Sequence, residues 1–302
     1  AYNYDDMVIL FALGNEGKDS NQDGEVDTSW IQSAAVSKNG FSIGASENYR
    51  PSLAGTCAFA DDRFPVDPIK SDYLSNNIEG LACFSNRGPS EDGRIKPDLV
   101  APGTQIVSVY SSLDTNPGNS PLATHPTYIY KSGTSMATPI TAGATALLLE
   151  YLSDNGISNP SSALIKAIWS ATSIDMQGQY DTPSNNGASQ SIPNNHEGWG
   201  RIDVEKAITS SFLDRLDVAT SESKSIRLNI PIGTPEFRVV LSWTDSPNAT
   251  TGACAVQCLV NDLDFTLKDP SGEIMGQQNG DINNLLGLTV TSPDAGDWEI
   301  IV

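Results

Sequence analysis

The sequence predicts an α/β protein: part of a parallel β-sheet flanked by helices, followed by a small antiparallel β-sandwich. Two observations carry this. Short apolar runs alternate with helical stretches up to about residue 210, as in a parallel sheet covered on its faces. Beyond that point strand and turn signals continue while helical periodicity stops. The chain has 302 residues, 38% of them hydrophobic, which suffices for one medium domain plus a smaller one.

The elements follow in order. VILFALG at 8–14 is an apolar run ending in Gly, and FSIGAS at 41–46 is a second buried strand. A polar, Pro-containing stretch between 50 and 80 reads as surface loop. DLVAPG (98–103) and IVSVYS (106–111) are further strands, split by Pro and Gly. From Thr134, TSMATPITAGATALLLEYL is small or apolar throughout, so a helix there is expected to be buried on nearly all sides. Pro139 falls early in it, and Asn155-Gly156 ends it. SSALIKAIWSAT (161–172) is a second helix, with Pro160 as its start signal. SIRLNIPI, EFRVVLSWTD, LVNDLDFTLKDPSG and NLLGLTVTSPDAGDWEIIV then supply strands with turns such as Pro-Ser-Gly and Asp-Ala-Gly. The boundary is placed at 210, giving regions 1–210 and 211–302. Both ends fall inside strand patterns and are expected to be cut, and the sandwich to lack its last strands.

The balance of 17 basic against 37 acidic residues, a net charge of −20, excludes the basic patches of nucleic-acid binders and does not suit an anionic membrane. No apolar run reaches about 18 residues. The partners expected are therefore neither nucleic acid nor membrane, and the protein is expected to be a monomer. Cys57 with Cys83, and Cys254 with Cys258, make two local pairs. They suit disulfides in an oxidising compartment, with free thiols and a zinc site as rivals; neither pair is CxxC. Asn248-Ala249-Thr250 is a glycosylation sequon.

The strongest chemical signal is Gly133-Thr134-Ser135-Met136-Ala137-Thr138-Pro139. A Ser in the first helical turn has a fixed Oγ, free N–H groups beside it and the positive end of the helix dipole. The bland reading is a Thr/Ser helix cap. The heptapeptide resembles the nucleophile motif of the subtilisin-like serine proteases, the subtilases. In the right order, Phe11-Ala12-Leu13-Gly14-Asn15-Glu16-Gly17 resembles the segment with the oxyanion-hole Asn. Phe84-Ser85-Asn86-Arg87-Gly88-Pro89 and Ile95-Lys96-Pro97-Asp98-Leu99-Val100-Ala101-Pro102-Gly103 resemble the stretch between the two, and Gly198-Trp199-Gly200-Arg201-Ile202-Asp203 the turn into the closing helix. Residues 211–302, with Val260-Asn261-Asp262-Leu263-Asp264, look like the C-terminal jelly roll of one branch.

The resemblance implies a secreted endopeptidase acting on proteins or peptides. Ser135 would attack the scissile carbonyl, with the Asn15 amide and the Ser135 N–H holding the oxyanion. Gly14, Gly133 and Thr134 would line the substrate cleft, together with Leu13, which either narrows the pocket or points into the core. The family's chain order is Asp, His, Ser, and only fourteen residues precede Asn15, so the Asp and His motifs are expected upstream of Ala1. His125 and His196 lie in no motif of that kind. Taken alone the chain is expected to be nearly inactive. The rivals are a catalytically dead binding protein of the same fold and an esterase, which would want Gly-x-Ser-x-Gly.

Asp19, Asn21, Asp23, Glu25 and Asp27 place oxygen side chains at alternate positions around Gly24. This matches the front of a calcium loop, although Trp30 occupies the place of the closing Glu; an acidic turn is the alternative. Asp262 and Asp264 are a second calcium candidate, expected on one face of a strand, with a solvated face as its alternative.

Overall fold

A computed structural model describes residues 2–28, 31, 34–53, 55–60, 62–116, 121–176, 191–247, 259–280 and 282–302. The run at 41–46 is β2 (Phe41–Ser46), buried at every residue. It lies between β1 (Leu10–Ala12) and β3 (Leu99–Pro102) in a parallel sheet, with Leu10 opposite Phe41 and Ile43 opposite Leu99. Continuous apolar runs of this sort suit a sheet covered on both faces. Helices α1 (Thr134–Asp154) and α2 (Ser162–Thr172) supply cover: Ala137, Leu148, Leu152, Ile165, Ile168 and Trp169 join Phe41, Ile43 and Leu99 in one core. Ser161 caps α2 by accepting from Leu164 N, and Asp203 caps the short α3 (Val204–Thr209) through Lys206 N.

Asp98, just before β3, sits buried between Lys96 (2.7 Å) and Lys166 (2.9 Å) and accepts from the Ser42 N–H and hydroxyl. Burial pushes its carboxyl up, but the two ammonium groups outweigh that and hold it well below the usual range.

Two expectations need correction. The first concerns α1, which is not buried all round: Pro139, Ala142, Gly143, Ala146 and Leu147 are exposed. Its inner face covers the sheet, and among the described residues nothing covers the outer one. The second concerns IVSVYS, which does not enter the parallel sheet. It forms β4 (Ile106–Val109), antiparallel to β5 (Tyr128–Lys131), after Pro102-Gly103 turn the chain aside.

The later strands form two antiparallel sheets. β6 (Ser225–Ile230), β11 (Gly296–Ile301), β8 (Phe265–Lys268) and β9 (Ile274–Gln278) make one, in that order. β10 (Leu285–Thr291) and β7 (Glu236–Ser242) make the other. Ile230, Leu267 and Trp298 pack with Phe237, Val239 and Leu288 between them, and the Phe237 and Trp298 rings meet edge to face at 5.0 Å.

These sheets are bonded to the first part of the chain. Arg238 donates to the Ser170 carbonyl at 3.0 Å. Asp245, fully buried, takes Lys38 at 2.5 Å and the Val260 and Asn261 N–H groups. Leu285 belongs to the main core, and Gly287 lies so close to Trp199 that a Cβ there would be 2.5 Å from its ring.

Candidate active site

Ser135 is the second residue of α1, and it is exposed while Thr134 before it is buried. Gly133 forms the N-cap with φ of 151°, a conformation L side chains rarely adopt, and it offers no side chain to cap the helix. The cap comes instead from β1's far end. Asn15 Oδ1 accepts from the Thr134 N–H at 2.8 Å and lies within hydrogen-bond reach of the Thr134 hydroxyl at 3.2 Å. That hydroxyl also accepts from Gly14 N at 3.1 Å. Because a backbone N–H can only donate, the Asn15 amide is fixed with its oxygen toward the helix. Its Nδ2 therefore faces away. Among the described residues neither Asn15 Nδ2 nor the Ser135 N–H has a hydrogen-bond partner.

The arrangement thus presents an exposed hydroxyl, two N–H donors without partners and a helix N-terminus in one place. Chemically it can stabilise negative charge on an oxygen next to Ser135 Oγ.

Of the cleft residues expected from sequence, Gly14, Gly133 and Thr134 are gathered here. Leu13 is not: just beyond β1, it is buried against Ile31 and Ala35, with Val36 and Phe11, two residues before it and on the same face, beside it. It packs the core and does not narrow a pocket. Asn86 is a residue that role assignment passed over, although its Phe-Ser-Asn-Arg-Gly-Pro motif stood out. Its backbone N–H donates to the Gly14 carbonyl, its Oδ1 accepts from Glu16 N at 2.7 Å, and its Nδ2 donates to Glu16 Oε2 at 2.8 Å. It holds the segment around Asn15 from the side.

Among the described residues neither histidine is hydrogen-bonded to Ser135. His125 is in an exposed loop with its ring edge-on to Tyr128. Burial, with Arg87 nearby, lowers His196 to about 4, so it is neutral near pH 7.

In the acidic loop, Asp19 is buried; its two carboxylate oxygens accept from Asp23 N (3.1 Å) and Gly24 N (3.0 Å). Asn21 Nδ2 donates to Asp23 Oδ2, and Asp27 is turned to Ser20 N at 2.7 Å. Burial, then repulsion from Asp23 and Asp19, raises Glu25. The donors are hard oxygens suited to calcium, yet among the described residues no three acidic, His or Cys groups already converge on one point. Asp262 and Asp264 lie in the loop before β8, not within the strand, and Asp264 accepts from Gly280 N at 3.0 Å. Cys57 and Cys83 form a disulfide; Cys254, Cys258 and the sequon fall outside the described residues.

The chain is similar in sequence to several known proteins. Residues 2–200 match the family model described as the subtilase family. Serine protease AprX of Bacillus subtilis (strain 168) is 33% identical over 151 residues, 49% of this chain and 27% of its own length. Pyrolysin of Pyrococcus furiosus is 35% identical over 204 residues, 67% of this chain and 12% of its own. Among solved structures, fervidolysin from Fervidobacterium pennivorans is 20% identical with a TM-score of 0.39, over 97% of this chain and 32% of that one. The chain spans 12% to 27% of the length of these two curated relatives.

Proposed function

The chain belongs to the subtilase family, and from that premise we propose that it carries the nucleophile and the oxyanion donors of a serine endopeptidase. Ser135 Oγ attacks the scissile carbonyl of a protein or peptide and forms an acyl-enzyme. In the family's arrangement a His takes the hydroxyl proton and returns it to the leaving amine, and an Asp orients that His; the family's chain order puts both ahead of the Ser. Asn15 Nδ2 and the Ser135 N–H receive the oxyanion. Gly14, Gly133 and Thr134 hold the backbone of the cleft. The observation that supports this most is a pair of N–H donors, without partners among the described residues, at the helix N-terminus that carries an exposed Ser135.

Residues 1–210 are read as the C-terminal part of the catalytic domain, and 211–302 as a jelly-roll-like sandwich. The Cys57–Cys83 disulfide favours a secreted protein, since such bonds persist in oxidising compartments. Calcium bound by Asp19, Asn21, Asp23, Glu25 and Asp27 would stiffen the loop that follows Asn15, with Asp262 and Asp264 as a weaker second site. EDTA should lower the melting temperature; an unchanged transition removes calcium from the account.

The function is tested by peptide hydrolysis in the full-length protein. Asn15→Ala should lower kcat by about 10²–10³ with KM nearly unchanged. That range comes from the corresponding donor of a subtilisin. An unaltered kcat would reject Asn15 as an oxyanion donor.

A further inference from the structure

The backbone around Asn15 is pinned almost group by group. Leu13 N donates to Ile43 O, the Gly14 carbonyl accepts from Asn86 N, Glu16 N donates to Asn86, and Gly17 N donates to Phe84 O at 2.9 Å. The Asn15 carbonyl has a different kind of partner. It accepts from Arg63 Nη1 at 2.7 Å, and the same nitrogen lies 3.3 Å from the Gly17 carbonyl. Among the described residues no other donor reaches the Asn15 carbonyl.

Arg63 arrives from the polar, Pro-containing stretch between residues 50 and 80. Its guanidinium carbon lies 5.7 Å from the Phe59 ring centre and 5.5 Å from that of Phe64. Its own carbonyl accepts from Asp19 N at 2.8 Å. Phe64, Cys57, Cys83, Ile69 and Val26 form a small separate core under it, and the Cys57–Cys83 bond ties that core to the segment whose Phe84 carbonyl holds Gly17. A guanidinium stacked on aromatic rings has few orientations open to it, and it holds a carbonyl more firmly than water does.

We propose that Arg63 is a positioning residue for oxyanion stabilisation: from the disulfide-closed loop it fixes the Asn15 backbone, and so aims the Asn15 amide. This rests on the reading of Asn15 given above. The side chain touches neither substrate nor Ser135. It acts on how often Asn15 Nδ2 stands where the oxyanion forms, and misplacement of a catalytic donor by about 1 Å can lower turnover by up to about 100-fold.

The test is a double-mutant cycle in the full-length protein. Peptide hydrolysis is measured for wild type, Arg63→Ala, Asn15→Ala and the double variant, with competent sites counted by fluorophosphonate end-point labelling. Arg63→Ala should lower kcat per labelled site about tenfold with KM within about twofold, a smaller loss than removing the donor itself. Arg63→Lys, which keeps one charged donor, should recover part of that loss. In the Asn15→Ala background Arg63→Ala should cost almost nothing further, because the group it aims is gone. An Arg63→Ala protein with lower melting temperature but wild-type kcat per site would make Arg63 merely structural. Losses that multiply would also overturn the proposal. If Arg63→Ala does not fold, Arg63→Lys decides: full wild-type kcat at reduced stability rejects positioning. Should Asn15→Ala alone leave kcat unchanged, the oxyanion reading fails, whatever Arg63 does.

Discussion

Thr134 joins two functions in one hydroxyl. It accepts from Gly14 N and lies within reach of Asn15 Oδ1, while its backbone N–H caps onto the same oxygen. Thr134→Val keeps the shape but leaves a part-buried Gly14 N–H unsatisfied, costing about 1–3 kcal/mol of stability and loosening the amide. Thr134→Ser should be close to neutral in urea unfolding and in kcat; equal behaviour of the two variants would show that the hydroxyl is idle. At this scale the sequence was most informative where chemistry restricts choice. The Gly133 cap and an exposed Ser135 at the start of α1 fall where the Gly-Thr-Ser pattern puts them, whereas Asn15 was picked out only by the resemblance of its motif. Leu13 was not decided by sequence: an apolar residue on a short strand reads the same whether it faces a cleft or the core, and its contacts with Ile31 and Ala35 settle it only in three dimensions. Arg63 left no signal at all, since its partners are backbone carbonyls 46 and 48 residues away.

Among elements, the strands and helices with strong periodicity were readable. β2 and α2 fall where the pattern puts them, because one face or both must be buried. Short β9 and β5 were missed, and Asp262 and Asp264 were placed on a strand that begins only at Phe265. The loop between β2 and β3 is the element with most hidden structure. Reducing its Cys57–Cys83 bond, which spans 26 residues, should cost about 3.5 kcal/mol by the loop-entropy relation. A Cys57→Ser/Cys83→Ser variant with an unshifted denaturant midpoint would contradict that. The same loop packs on Glu47, whose carboxylate accepts from Asn76 N and Asn77 N. Burial, with Asp72 nearby, raises Glu47 to about 8. The folded state then binds more protons than the unfolded one between the ordinary carboxylate range and pH 8. This group's contribution is complete at low pH and falls as pH rises through that window. Glu47→Gln should therefore gain on wild type between pH 5 and pH 8, by about 1.4 kcal/mol per unit of displacement retained. A gap independent of pH would show that Glu47 ionises normally.

For the molecule as a whole, the sheets after residue 210 are structural partners of the first part. Gly287 against Trp199, Arg238 on Ser170, and Lys38 with buried Asp245 tie the two together. Deleting 211–302 from the full-length protein should lower the melting temperature of what remains; an unchanged transition would mean that these contacts contribute nothing. Composition could announce two regions but not their interface, because the contacts pair residues far apart in the chain, from 68 positions for Ser170 and Arg238 to 207 for Lys38 and Asp245. The net charge of −20 was equally silent about where Asp98 lies, between two buried lysines. The central claim is that the exposed hydroxyl of α1 is the nucleophile. It is tested most directly by treating the full-length protein with a fluorophosphonate and locating the adduct by mass spectrometry. The account predicts one phosphonylated serine, Ser135, and no labelling of Ser135→Ala. An adduct on another residue, or labelling that persists in Ser135→Ala, would contradict it.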